Sequence, residues 1–122
     1  MSAKPSKYRS VKVSVDGITF HSKAEARRYG DLKTLQRAGE ISRLELQPKY
    51  PFAIGGRKMF DRVADFTYLD ANGVQVVEDV KGLDNPVSAL KRKITMADRG
   101  IEIRLVDGAG NRKRTPTGRI KK

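Results

Sequence analysis

Arg62-Val63-Ala64-Asp65-Phe66-Thr67-Tyr68-Leu69, then Asp70-Ala71-Asn72-Gly73, then Val74-Gln75-Val76-Val77-Glu78-Asp79-Val80-Lys81: this stretch decides the fold. Two runs rich in β-branched and aromatic residues flank a strong turn signal, and they predict antiparallel strands over Arg62 to Leu69 and Val74 to Lys81. Side chains alternate along a strand, so Val77, Asp79 and Lys81 share one face while Val76, Glu78 and Val80 share the other. The turn centres near residues 71 and 72, which puts residue 65 roughly opposite 78 or 79. Asp65 stands among Val63, Ala64, Phe66 and Tyr68, where an isolated carboxylate is costly to bury, so something must compensate it.

Outward from this hairpin the chain reads as one domain. Val11, Val13 and Val15 alternate with polar residues, then Asp16-Gly17 precedes Ile18 and Phe20, which predicts a short N-terminal hairpin. Ser22-Lys23-Ala24-Glu25 has capping-box form and opens a helix running to Ala38 before Gly39, with Tyr29, Leu32 and Leu35 as its buried stripe. Ile41 to Leu46 reads as a short strand ending at Gln47-Pro48, and Gly55-Gly56 as a loop. Asp84-Asn85-Pro86 starts a second helix with Val87, Leu90, Ile94 and Ala97 as the apolar stripe and Lys91, Arg92 and Lys93 on the more exposed side. Ile101, Ile103 and Leu105 alternate with Glu102 and Arg104 in a last strand ending near Val106. The expected order is helix, three strands, helix, strand: an α/β (α+β) fold with a mixed sheet flanked by two helices.

Composition narrows the chemistry. The 122 residues hold 26 Lys plus Arg against 14 Asp plus Glu, no Cys and one His, with a formal net charge of +12. Thiolate zinc sites, iron–sulfur clusters, Cys nucleophiles and multi-histidine metal sites are thereby excluded. No run approaches the roughly 18 apolar residues of a membrane span, and the start lacks an apolar signal stretch, so a cytoplasmic protein without a membrane partner is expected. The excess charge sits at the ends: +4 over residues 1–12, +5 over 107–122, and only +3 between them. The expected division is a domain over 1–106, with a basic arm at 1–12, followed by a flexible basic tail over 107–122. Arms of one sign point to a polyanion, and Lys91, Arg92, Lys93, Arg112, Lys113 and Arg114 are the expected nucleic-acid contacts.

The acids are more telling than the bases. A protein that only binds phosphate gains nothing from carboxylates in its interior. Asp65 and Asp79 close together repel unless a cation lies between them, and without His or Cys the natural candidate is Mg²⁺ or Mn²⁺. Lys81, on the face of Asp79, would then orient an attacking water or stabilise charge on a phosphate. A plain salt bridge between Asp79 and Lys81 at a strand end is the alternative. Glu25 is explained by the capping box, yet it lies on the helix face of Tyr29 and Leu32 and could equally aim at the sheet. Glu78 ranks below Asp79 because it faces away from Lys81. Gln47 is either a polar neighbour of the site or merely a strand-end residue.

Asp65 on one strand and Asp79-Val80-Lys81 on the next resemble the PD-(D/E)XK nuclease superfamily. More closely, Ser22-Lys23-Ala24-Glu25-Ala26-Arg27-Arg28-Tyr29, Leu46-Gln47-Pro48-Lys49, Ala64-Asp65-Phe66 and Glu78-Asp79-Val80-Lys81-Gly82 are similar, in order over residues 8 to 106, to a small phage-associated family of Holliday-junction-resolvase-like endonucleases. The proline that names the superfamily is replaced by Ala64. The resemblance implies a restriction-endonuclease-like αβββαβ core. It makes Asp65 and Asp79 metal ligands, Val80 the donor of a main-chain carbonyl, Lys81 the residue at the attacking water and Glu25 an accessory acid. The expected function is Mg²⁺-dependent hydrolysis of DNA phosphodiester bonds, on branched DNA and as a homodimer, since a junction needs two symmetric cuts. A nicking or end-processing nuclease, or a non-catalytic nucleic-acid-binding protein on the same fold, is the alternative.

Overall fold

The computed structural model describes residues 12–80 and 85–112. Lys81, Lys113 and Arg114, all assigned roles above, lie outside the described residues, as do residues 1–11. The elements are β1 (Val13–Val15), β2 (Ile18–Phe20), α1 (Lys23–Arg37), β3 (Ser42–Leu46), β4 (Lys49–Ile54), β5 (Arg57–Val63), β6 (Phe66–Leu69), β7 (Gln75–Val80), α2 (Pro86–Arg99) and β8 (Ile103–Val106).

A four-stranded sheet in the order β3-β6-β7-β8 forms the centre. β3 and β6, and β6 and β7, pair antiparallel, while β7 and β8 are parallel. The parallel pair requires a crossover, and α2 supplies it. Taken with α1, the sheet has the order αβββαβ, so the mixed α+β architecture is the one the sequence implied. β1 and β2 form the expected N-terminal hairpin, around Asp16-Gly17 at positive φ.

Two strand readings need correction. The run from Arg62 to Leu69 is not one strand. Arg62 and Val63 end β5, Ala64 and Asp65 make a break, and β6 begins at Phe66. The other half of that difference is an antiparallel hairpin of β4 and β5 where only a loop was expected. Its turn is the Gly55-Gly56 pair, both at positive φ, and its two strands stack Phe52 on Phe60 at 5.3 Å. Pro51 within β4 weakened the strand signal, since proline cannot donate to a ladder.

The two faces of the sheet are covered differently. Phe66, Tyr68, Val76, Val80 and Val106 pack with Ala26, Tyr29 and Leu32 of α1. Ala64, Val77 and Ile103 form a smaller cluster on the other side, against Tyr50, Met96 and Ile101. α1 behaves as its sequence says: Ser22 caps it, its Oγ accepting from the Glu25 N–H at 3.1 Å. α2 is capped by Asn85 and closed by Gly100 at φ +65.

The apolar stripe expected to bury α2 does not do so. Val87 is 61 % and Leu90 55 % exposed, whereas Arg92 and Thr95 are buried. The helix is turned by polar and aromatic partners: Ser88 meets Arg62, Lys91 lies 5.4 Å from the Phe60 ring, and Arg99 lies 5.6 Å from the Tyr50 ring. Docking on the unforeseen β4–β5 hairpin thus sets the rotation of α2 and leaves Val87, Leu90 and Ala97 of that stripe outward, with Ile94 half-buried. Arg92 is therefore not on the exposed side; Lys93 is exposed and Lys91 half-buried. Among the described residues, no helix is long and apolar enough to cross a membrane.

Candidate functional site

The register brings the two aspartates together. Phe66 pairs with Glu78, so Asp65 stands one step on, opposite Asp79. Both are woven into the strand ends. The Asp65 carboxylate accepts the Val80 N–H at 2.7 Å, standing in for a main-chain carbonyl where β6 begins. The Asp65 N–H in turn is shared between the Glu78 carbonyl at 3.0 Å and Asp79 Oδ1 at 3.1 Å. A carboxylate that terminates a ladder cannot rotate freely, so each acid holds the other's place.

Countercharge comes from an arginine that the sequence reading did not single out. Arg62, on β5, donates through Nη2 to Asp79 Oδ2 and through Nη1 to Ser88 Oγ at 3.2 Å. Asp79 is 2 % and Arg62 7 % exposed, so this ion pair is in the interior. Asp79 thus has a guanidinium as its countercharge. The available signal was an Arg three residues before Asp65 in an apolar run.

Glu78 occupies the opposite face. Arg28 of α1 grips it with two parallel bonds, Nε to Oε1 at 2.8 Å and Nη2 to Oε2 at 2.7 Å, and the Tyr68 hydroxyl also donates to Oε2. Burial, and after it the bond to Glu78, pushes the Tyr68 phenol up to about 12. The bond to Glu78 also raises the Arg28 guanidinium above its ordinary value, against the opposing effect of burial. Gly110 adds a constraint: at φ +88, a Cβ there would lie 2.1 Å from Arg28 Nη1, so only glycine lets the main chain pass over the guanidinium.

The remaining expected residues fall around the same end of the sheet. Gln47, exposed and at φ 54, donates its N–H to the Asp65 carbonyl at 2.9 Å. Glu25 reaches back past the cap: its Oε1 accepts the N–H of His21, one residue before Ser22, at 3.2 Å. The structure thus brings Asp65, Asp79, Val80 and Gln47 together, puts Glu78 behind the sheet, and ties Glu25 to the start of α1. Residues 107–112, at the start of the expected tail, form a turn on Asp107, whose carboxylate accepts from Ala109 and Asn111, each at 2.9 Å. The Asn111 main-chain bond, ahead of the others, holds the Asp107 carboxyl below its ordinary value. Arg112 pairs with Glu102, so this basic residue is engaged within the fold.

Two adjacent carboxylates make a pair of hard-oxygen donors without nitrogen or sulfur. That pair suits Mg²⁺ or Mn²⁺. Asp65 and Asp79 are the residues that would hold such an ion, and Asp79 is paired with Arg62.

Residues 5–107 match the family described as "Protein of unknown function (DUF1064)", and the chain belongs to that family. Neither a curated protein nor a solved structure matches it.

Proposed function

We propose that the protein is a divalent-metal-dependent endodeoxyribonuclease of the PD-(D/E)XK kind, hydrolysing DNA phosphodiester bonds. The observation that carries this reading is the pairing of Asp65 with Asp79, side by side where β6 begins and β7 ends. Phosphoester hydrolysis needs charge stabilisation more than covalent chemistry, and a rigid pair of hard-oxygen donors beside basic groups supplies its elements. A bound dication would polarise the phosphate and make a water at the site more acidic. Asp65 and Asp79 would fix its position; Lys81, by sequence, would serve the attacking water; Gln47 would border the substrate. Glu25 is left to the helix cap. Lys93 would meet the DNA backbone, with Lys113 and Arg114 assigned to it by sequence.

Branched DNA as the preferred substrate rests on the resemblance of the motifs. A homodimer is proposed with it, and the outward Val87, Leu90 and Ala97 of α2 offer a surface for the second copy. One observation favours a second reading, a non-catalytic nucleic-acid-binding protein on the same fold. Arg62 and Arg28 already neutralise Asp79 and Glu78, so these two buried acids have countercharges without a metal.

The test is incubation of supercoiled, linear duplex, single-stranded and four-way-junction DNA with the protein, with and without Mg²⁺. Metal-dependent cleavage, fastest on the junction, is the expected result. DNA binding with no cut in any substrate would give the second reading the field.

A further inference from the structure

A cleft of about 590 Å³ opens between the end of β5 and the first turn of α2. Arg62, Ser88 and Lys91 line it, with the aliphatic Val63 and Val87 at its sides. Arg62 belongs to both places, to the cleft wall and to Asp79. Its side chain is 8 % exposed, and its Nε is buried with no partner. The contrast with Arg28 is direct: Arg28 meets its carboxylate with two parallel bonds, whereas Arg62 gives Asp79 one nitrogen, gives Ser88 another and leaves a third unused. A guanidinium fork is shaped for bidentate contact with a carboxylate or a phosphate, and here it achieves neither.

The cleft otherwise suits an anion. Ser88 offers a hydroxyl and Lys91 an ammonium, and the first turn of α2 contains no acid. The one acid in the wall, Asp61, has its Oδ2 paired with Lys58 at 2.9 Å and its Oδ1 buried without a partner, so the wall sets one acid against the two bases Arg62 and Lys91.

We propose that Arg62 is an exchangeable countercharge. It neutralises Asp79 while that carboxylate holds no dication, and it binds a backbone phosphate of DNA in the cleft, with Ser88 and Lys91, once a dication takes Asp79. The inference rests on the nuclease reading. Its consequence is linkage: dication and DNA phosphate each tighten the other's binding through Arg62, and by the same factor. Removing Arg62 also removes a competitor, so the dication alone should bind more tightly.

The test uses the full chain in two titrations: Mn²⁺ alone by calorimetry, and a short DNA duplex by fluorescence anisotropy with and without Ca²⁺. In the wild type, Ca²⁺ should tighten duplex binding about 10-fold, within the usual range of coupled sites. In Arg62→Gln this coupling should fall to within about 2-fold of none, while affinity for Mn²⁺ alone rises about 5-fold. Inorganic phosphate should compete with the duplex in the wild type and not in the variant; failure to compete while the coupling holds would assign the cleft to an intact phosphodiester rather than to free phosphate. Unchanged Mn²⁺ affinity and unchanged coupling in a folded Arg62→Gln would overturn the proposal while leaving the metal site standing. Absence of Mn²⁺ binding by the wild type would overturn both. Should Arg62→Gln fail to fold, Ser88→Ala with Lys91→Ala tests the cleft from its other wall: loss of coupling supports the proposal and retained coupling refutes it.

Discussion

Glu78 and Asp79 are consecutive residues on one strand, both buried, both paired with arginine, and on opposite faces of the sheet. Their surroundings separate them. Behind Glu78 every group is answered: two parallel bonds from Arg28 and one from Tyr68, under the main chain at Gly110. Around Asp79 both carboxylate oxygens are bonded, but its arginine is incompletely used: Arg62 leaves its Nε without a partner and lines a cleft, and a second carboxylate stands alongside Asp79. A closed polar network specifies structure, since any missing partner strands a buried charge. An open one is where an incoming cation or phosphate finds partners. Burial and charge, which the two acids share, did not distinguish them; completeness of hydrogen bonding did.

That contrast can be broken by substitution. Glu78→Ala should have the largest effect on stability, about 3–5 kcal/mol in denaturant unfolding, because it leaves Arg28 charged and unpaired in the interior. A loss under about 1 kcal/mol would mean that the network is less closed than its geometry indicates.

Tyr68→Phe should cost about 1–3 kcal/mol at neutral pH, the range for a buried hydrogen-bond partner removed. It should also change the alkaline limb. Tyr68 titrates at about 12 in the folded chain, above the ordinary phenol value of 10.0. The neutral phenol is therefore favoured by folding, and its contribution is fully present below pH 10 and lost as pH rises from 10 to 12. Unfolding measured across that window should be less steep with pH in Tyr68→Phe than in the wild type. Equal slopes would place the titration elsewhere.

The smallest effect belongs to Glu25→Gln. Glutamine preserves an acceptor for the His21 N–H, so stability should shift by only about a few tenths of a kcal/mol. Turnover on DNA should remain within about 2-fold of wild type on the cap assignment. A drop of about 10-fold or more at unchanged stability would move Glu25 from the cap to the site.

Much of this arrangement was legible in the sequence, for local reasons. The Asp70-Ala71-Asn72-Gly73 turn set the β6–β7 register, and with it the pairing of Asp65 with Asp79, because period-two alternation and turn position leave little freedom. The cap at Ser22 and the start of α2 around Asn85-Pro86 were equally local. What escaped was decided by distant contacts. The β4–β5 hairpin was hidden by Pro51 and Gly55-Gly56, and the rotation of α2 depends on that hairpin. The partners of the two acids, Arg28 and Arg62, lie 50 and 17 residues away in sequence. An arginine on the Tyr29 and Leu32 face of α1, and another three residues before Asp65 in an apolar run, were the visible hints that buried acids awaited them.

The most direct measurement compares the two acids in one assay: single-turnover cleavage of DNA in saturating Mg²⁺ by Asp79→Asn and Glu78→Gln, with folding and DNA occupancy matched to wild type. The expected result is a loss of at least about 100-fold for Asp79→Asn, equivalent to roughly 3 kcal/mol of transition-state stabilisation, and a change within about 3-fold for Glu78→Gln. Wild-type cleavage by Asp79→Asn, or equal losses in both variants, would contradict the division of one strand into a structural face and a functional one.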